Sequence, residues 1–157
     1  MKLIPLSLQG KNKGKFTIID DEDFDLVNQY RWYYRGGYAI GHLGNQKQVI
    51  LSRFLMGNPK GKMVDHINHD TLDNRRQNLR IATKFQNMQN QLKYRGGSKY
   101  KGVSKMPKPY KNMWRAQIAC KYIGYFKEER HAAMAYDIWA KELFGEFAVL
   151  NFKRIGD

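Results

Sequence analysis

The sequence has almost no cysteine. Cys120 is the single one among 157 residues, so neither a disulfide within the chain nor a Cys₂His₂ zinc site can form. Long apolar runs are missing too, and nothing approaches the ~18 residues of a membrane span. The N-terminal stretch MKLIPLSLQGKNKGK is too short in its apolar run, and too soon broken by Pro5, to be a signal peptide. These absences predict a soluble intracellular protein. Acids are scarce: 14 Asp and Glu stand against 28 Lys and Arg, a formal net charge of +14.

What is present is enough apolar residue to fold. Hydrophobic residues make up 42% of the chain, which excludes a basic disordered tail and allows one good core or two small ones. The positive charge is spread over both halves, +6 in residues 1–92 and +8 in residues 93–157. Five of the eight acids in the first part sit in Asp20–Asp25, so the rest of that part is strongly basic. Basic residues alternating with aromatics in strand-like segments point to nucleic acid.

The first 63 residues read as β-rich. Lys2–Gln9 and Lys15–Ile19 are predicted strands around the turn cluster Gly10-Lys11-Asn12-Lys13-Gly14. A short helix from Glu22 to Gln29 follows, capped by Asp20 or Asp21, with Phe24 and Val27 inward. The acids here resemble the start of a calcium loop, but Leu26 and Trp32 stand where that loop needs glycine and glutamate. Negative charge at a helix N-terminus is the better account. Arg31–Tyr34, Tyr38–Leu43 and Gln46–Leu51 are further strands, joined at Gly36-Gly37 and Gly44-Asn45. Trp32 and Tyr34 are expected in the core, and Ser52–Met56 in a short helix or turn.

The densest chemistry lies in residues 64–90, VDHINHDTLDNRRQNLRIATKFQNMQN. Met63-Val64 ends a strand that delivers Asp65 and His66. Neighbours on a strand point to opposite faces, so both reach one site only if the strand ends or bends there. Asp73–Gln77 is predicted as a short helix in a polar loop, and Leu79–Ala82 as a second strand. Thr83-Lys84-Phe85-Gln86 is a capping box opening a helix. Asn87, Asn90 and Gln91 share a face of that helix. Carboxylate and carboxamide oxygens suit a hard divalent cation, Mg²⁺ or Mn²⁺. A histidine beside them can take a proton from water near neutral pH.

This stretch resembles the HNH endonucleases, with their ββα-metal fold, and in particular the phage and intron-encoded homing enzymes. The resemblance covers about 27 residues, with Asp-His, Asn-Leu-Arg and a later Asn in order. It implies that His66 is the general base and that Asp65 and Asn87 bind the divalent metal. It implies further that Asn78 fastens the loop and holds His66. Arg75, Arg76 and Arg80 are expected to contact phosphates, with solvated surface as the rival. His69 departs from the small residue expected in such a loop, and an exposed position is expected for it. Each residue taken singly has an ordinary alternative: a turn cap for Asp65, a loop hydrogen bond for Asn78, an exposed helix position for Asn87.

Lys93–Lys99 reads as a linker between a nuclease domain at 1–92 (ββα core about 62–92) and a second domain at 100–153. In the second domain Tyr100–Lys105, Met113–Cys120 and Lys121–Phe126 are predicted strands, with a tight turn at Cys120-Lys121. A helix from Lys127 to Phe144 follows, ended by Gly145. Its apolar face comprises Ala132, Ala133, Tyr136, Trp139, Ala140 and Leu143. The fold class is thus α+β, a three-stranded antiparallel sheet on one helix following the β-rich and ββα parts. YKGVSKMPKPYKNMWRAQIACKYIGYF and HAAMAYDIWAKELFGEFAVLNF resemble the Apetala-two/ethylene-response-factor DNA-binding domain over about 55 residues. Such domains lay the exposed sheet face into the major groove. The implied DNA-binding residues are Lys101, Ser104, Lys105, Trp114, Arg115, Gln117, Lys121, Tyr122 and Tyr125. Ala119 stands where plant members carry a basic residue, so their target sequence does not transfer.

The sequence therefore predicts a metal-dependent DNA endonuclease of the homing type, acting on double-stranded DNA in a host-cell cytoplasm. No protein partner is evident, and monomer and dimer both remain open. Two alternatives stand beside it: a non-catalytic DNA-binding protein on a nuclease scaffold, and an RNA-binding or ribonuclease module.

Overall fold

The computed structural model describes residues 1–7, 14–44, 47–91 and 97–152. By its internal contacts the chain divides into two compact units, Met1–Asn87 and Met88–Asp157. Both mix helices with small antiparallel sheets, so the fold is α+β, as predicted.

In the first unit β1 (Lys2–Pro5) pairs antiparallel with β2 (Phe16–Ile19). Most of the expected turn cluster between them lies outside the described residues. Alternation sends Ile4, Leu6, Thr17 and Ile19 inward. The acidic stretch forms a 3₁₀ turn, Asp21–Asp23, and then α1, Phe24–Asn28. The cap differs from expectation. Asp20 occupies the N-cap without a capping hydrogen bond, because its Oδ2 accepts instead from Arg76 N at 2.7 Å.

Next come β3 (Trp32–Arg35), β4 (Tyr38–Leu43) and β5 (Lys47–Ile50), a three-stranded meander, with α2 (Leu51–Leu55) after it. Trp32 is fully buried, worth about 2–3 kcal/mol of apolar transfer, and its indole N–H donates to Val27 O at 2.9 Å. Gly41 sits opposite Trp32, and a Cβ there would lie 2.8 Å from the indole. Only glycine lets the ring lie across that strand.

The last part of the unit is β6 (Met63–His66) paired with β7 (Leu79–Ala82), followed by α3 (Lys84–Gln89). The expected loop helix at Asp73–Gln77 is replaced by a 3₁₀ turn at Arg76–Asn78. The reason is long-range: Ile18 N donates to Leu72 O and Asn74 N to Ile18 O, both at 2.8 Å. These bonds hold residues 72–74 extended against β2. The N-terminal segment thus closes over the ββα part, and Ile4, Leu6, Ile19, Trp32, Leu51 and Leu79 share one core cluster.

In the second unit β8 (Val103–Lys105), β9 (Trp114–Ile118) and β10 (Lys121–Phe126) form an antiparallel sheet. Strand β8 is shorter than predicted, since Tyr100–Gly102 form a turn. The tight turn falls one residue earlier than expected, at Ala119-Cys120, both with positive φ. Helix α4 (Glu129–Phe144) packs Ala132, Ala133, Tyr136 and Ala140 inward. Trp139 and Leu143, expected on that face, are exposed at its margin. Asp137 accepts from Asn151 N at 2.8 Å and Phe152 N at 2.9 Å, and Asn151 in turn bonds Lys101 N and O. The Ala-Tyr-Asp and Leu-Asn-Phe segments are therefore two halves of one clasp. Burial raises the Asp137 carboxyl above its usual range, against the pull of these N–H donors. The expected linker lies largely outside the described residues.

Candidate functional site

Asp65 and His66 are the last two residues of β6, and both are only 6% exposed. Asp65 faces Arg80 across the strand pair and His66 faces Leu79. Arg80 Nε donates to Asp65 Oδ2 at 2.8 Å, so the buried carboxylate has a buried cation beside it. His66 Nε2 lies 3.2 Å from Asn74 Oδ1. Asn74 Nδ2 donates to Thr17 Oγ1 at 2.8 Å, and Thr17 Oγ1 donates to Leu72 O at 2.8 Å. Burial pushes the His66 imidazole below its ordinary value, against the opposing influence of Asn74 and of Asp65, Asp70 and Asp73. Burial thus favours the neutral ring, the form that can accept a proton.

The loop after β6 is tied by carboxamides. Asn68 N donates to Asn78 Oδ1 at 3.0 Å, and Asn78 Nδ2 donates to Asn68 Oδ1 at 2.9 Å and to Asp73 O at 2.7 Å. Ile67 N adds a bond to Asn78 O at 2.9 Å. Asn78 thus spans the loop base, one residue from the partner of His66 in β7. Asp70 turns the chain by accepting from Leu72 N at 2.9 Å. His69 is exposed with φ of 66°.

The capping box forms as read. Thr83 N donates to Gln86 Oε1 at 2.8 Å and Gln86 N to Thr83 Oγ1 at 3.1 Å. It starts α3 immediately after β7 and sets half-buried Asn87 in the first turns, where Asn87 N donates to Thr83 O at 2.9 Å. Asn90 and Gln91 fall beyond the end of α3. Asp65 and Asn87 offer oxygen donors from β6 and α3, the first and last elements of the strand–strand–helix segment. That donor chemistry fits a hard divalent cation and not a soft one. Asp20, Glu22 and Asp23 form another acidic cluster, but Arg76 already engages Asp20 and Asp23.

The three arginines expected on phosphates all hold carboxylates. Arg75 forks onto Asp73 at 2.6 and 2.7 Å, Arg76 reaches Asp23 at 2.6 Å, and Arg80 pairs with Asp65. Arg75 draws the Asp73 carboxyl below its usual value, outweighing burial. Sequence reasoning missed Asn74 and Thr17. Asn74 had a signal, as a carboxamide in an Asn-rich loop; Thr17, in a β-strand 57 residues away, had none.

On the C-terminal sheet, Ser104 pairs with Arg115, Arg115 with Tyr125, and Gln117 with Tyr122. These five share the face away from α4. The Tyr122 and Tyr125 rings lie 5.0 Å apart. Ser104 Oγ and Arg115 Nε are buried atoms with no hydrogen-bond partner among the described residues. Four expected DNA contacts, Lys101, Lys105, Trp114 and Lys121, lie elsewhere. Trp114 packs on the helix-side cluster with Lys105 Nζ 5.7 Å over its ring. Lys101 is buried in the turn before β8 and donates its ammonium to Gln89 O; burial lowers its pKa to about 8. Lys121 is exposed at the hairpin end, opposite Ile118.

Among the described residues, no helix is long and apolar enough to cross a membrane. No solved structure matches the chain significantly. A transcription repressor of Arabidopsis thaliana with AP2/ERF and B3 domains is 47% identical over 60 residues, 36% of this chain and 16% of that protein. The HNH endonuclease family model matches residues 49–89, which contain Asp65, His66, Asn78 and Asn87. An uncharacterized HNH endonuclease of Acanthamoeba polyphaga mimivirus is 33% identical over 158 residues, covering 95% of this chain and 81% of its own. With its Asp-His pair, braced loop and capped helix in one ββα unit, this chain belongs to the HNH endonuclease family.

Proposed function

We propose that the protein is a metal-dependent DNA endonuclease of the homing type, cutting at a site selected by its C-terminal domain. The observation that carries this reading is the buried His66 at the end of β6, next to the Asp65 carboxylate, where burial draws the imidazole pKa down. In this reading Asp65 and Asn87 hold Mg²⁺ or Mn²⁺. A divalent cation held there would supply charge neutralisation for the scissile phosphate and the departing 3′ oxygen. His66 takes a proton from the water that attacks phosphorus. Asn78 keeps the loop closed behind His66. One such centre per chain cuts one strand, so a double-strand break takes two chains or two events.

The C-terminal sheet supports DNA as substrate. Arg115 and Gln117 point from its open face with two aromatic rings beside them. Arginine and glutamine make bidentate contacts to base edges. Lys105 and Lys121 serve as phosphate contacts at the sheet margins. The net charge of +14 supplies the non-specific attraction.

The test is cleavage of a supercoiled plasmid carrying the DNA that flanks the protein's own gene. Wild type with Mg²⁺ or Mn²⁺ is expected to give open circles. EDTA is expected to stop it. His66→Ala is expected to lower the rate at least 100-fold, the scale of general-base catalysis, while binding the same DNA. Salt-sensitive binding without cutting, on this and other candidate plasmids, would favour a DNA-binding protein that has lost catalysis.

A further inference from the structure

The open face of the C-terminal sheet carries an apolar recess beside its arginine. Ser104 pairs with Arg115, and the ladder runs one residue further, where Met106 N donates to Met113 O at 3.0 Å. Strand alternation puts Met106 with Ser104, and Met113 with Arg115 and Gln117, on the face away from α4. Arg115 pairs in turn with Tyr125 of β10. Met113 N donates to Tyr110 O at 2.9 Å, which folds the β8–β9 connection back toward the sheet. Met106, Tyr110, Met113 and Tyr125 line a cavity of about 320 Å³. Both methionines are half-buried, and both tyrosines are exposed at its rim.

The surroundings decide what can fill this recess. No Asp or Glu occurs from Asn74 to Lys127, while Lys105, Lys108, Lys111 and Arg115 lie in the same strands and connection as the lining residues. That field selects a polyanion. A ribbon of strands enters the major groove of duplex DNA, about 12 Å wide, and not the minor groove of about 6 Å. There Arg115 and Gln117 meet the polar base edges. The one methyl group on those edges is at C5 of thymine. With two exposed tyrosines at its rim, the recess has room for the methyls of more than one thymine.

We propose that the recess formed by Met106, Tyr110, Met113 and Tyr125 takes thymine methyl groups beside the base that Arg115 contacts, and so sets part of the sequence preference of the C-terminal domain. This rests on the reading of the open sheet face as the DNA-binding surface. Arg115 fixes the register through hydrogen bonds, and the recess rewards thymine over cytosine, which has no methyl to bury. Methionine suits such a lining, because its flexible, polarizable thioether fills irregular gaps. The tyrosine rings supply apolar area with few torsions to freeze.

The experiment measures binding of the full chain to duplex DNA in EDTA, so that no cutting interferes. Fragments of the DNA that flanks the protein's own gene are ranked by affinity. The best is prepared twice, with thymine and with uracil throughout. Uracil keeps the O4 acceptor and the pairing and lacks only the methyl. Wild type is expected to bind the uracil DNA about fourfold more weakly for each methyl it takes, the worth of burying one such group. Tyr110→Ala and Met113→Gln are expected to bind the two DNAs alike. Tyr110 is 64% exposed, so its truncation leaves the fold intact. Any effect of uracil on DNA stiffness would persist in both variants, which separates it from the recess. Equal binding of the two DNAs by wild type would overturn the proposal without reference to any variant, while the DNA reading of the sheet stood. A preference for thymine that both variants keep would overturn it too, because the methyl is then read elsewhere. A dimer lost on Tyr110→Ala in sedimentation, with the two DNAs bound alike by wild type, would give the recess to a second copy of the chain. Wild type that binds no duplex DNA even at low salt would sink the DNA reading of the sheet and the proposal with it.

Discussion

Arg80 Nε lies 2.8 Å from Asp65 Oδ2, and the two residues are direct cross-strand partners in β6 and β7. The arginine expected at the substrate thus neutralises the carboxylate expected to bind metal. Their side chains are 11% and 7% exposed, so the two opposite charges are held together away from water. The pairing orients the Asp65 carboxylate.

Removing Arg80 should expose that dependence. Arg80→Met is expected to destabilise the metal-free protein by about 3 kcal/mol, the scale of a buried pair losing one partner. Mn²⁺ should recover part of the loss, because the cation takes over the role of neutralising Asp65. Urea denaturation with and without Mn²⁺ measures both effects. Equal loss in the two conditions would show that the carboxylate does not bind the metal.

The Asp73–Arg75 pair predicts an acid-dependent stability. Arg75 lowers the folded pKa of Asp73 below its unfolded value, so the folded state binds fewer protons at mildly acid pH. That stabilisation is complete above the unfolded value of about 4 and is lost as pH falls through it to the folded pKa. Urea midpoints for wild type should fall over this window, and Asp73→Asn should flatten the slope there. An unchanged slope would mean that the pair contributes nothing.

Gly102 should tolerate no side chain. It has φ of 75°, and a Cβ would lie 1.9 Å from Tyr136 Cδ2 and 2.8 Å from Gln117 O. Gly102→Ala combines left-handed strain with overpacking between the turn before β8 and α4. A loss of about 3 kcal/mol or more is expected. Thermal unfolding should show it, and hydrogen exchange should locate the loosening in residues 97–152.

Arg115 is the strongest candidate for direct base contact on the open sheet face. Arg115→Ala is expected to weaken binding to the preferred DNA by about 1–3 kcal/mol and to relax discrimination among sequences. Lys105→Ala is expected to weaken all DNAs alike and to reduce the salt dependence of binding by about one ion. Competition binding at several salt concentrations separates the two. A uniform loss for Arg115→Ala would make it a phosphate contact.

Much of the fold was legible because its signals are local. The Thr83–Gln86 capping box, the Tyr38–Leu43 and Leu79–Ala82 strands and the glycine turn before β4 each depend on a few neighbouring residues. The order Asp-His, Asn-Leu-Arg, Asn also put the candidate centre on a strand end and a helix start without any knowledge of tertiary contacts. Where neighbours compete with distant partners, local reading went astray. Asp20 serves Arg76 and not its own helix, and residues 72–74 stay extended because β2 takes the Leu72 carbonyl and the Asn74 N–H.

The sequence by itself therefore determined most element types, the order of strand, strand and helix in residues 63–89, the basic charge and the candidates for the chemistry. Each of these follows from side-chain type and spacing along the chain. Only the tertiary structure decided how those groups are paired. It gave Arg75, Arg76 and Arg80 to carboxylates, buried Lys101, turned Trp114 toward the helix, and brought Thr17 to Asn74 behind His66. Such pairings join residues up to 57 positions apart. They are set by which polar groups must find partners once the core has excluded water, and no spacing rule along the chain encodes that.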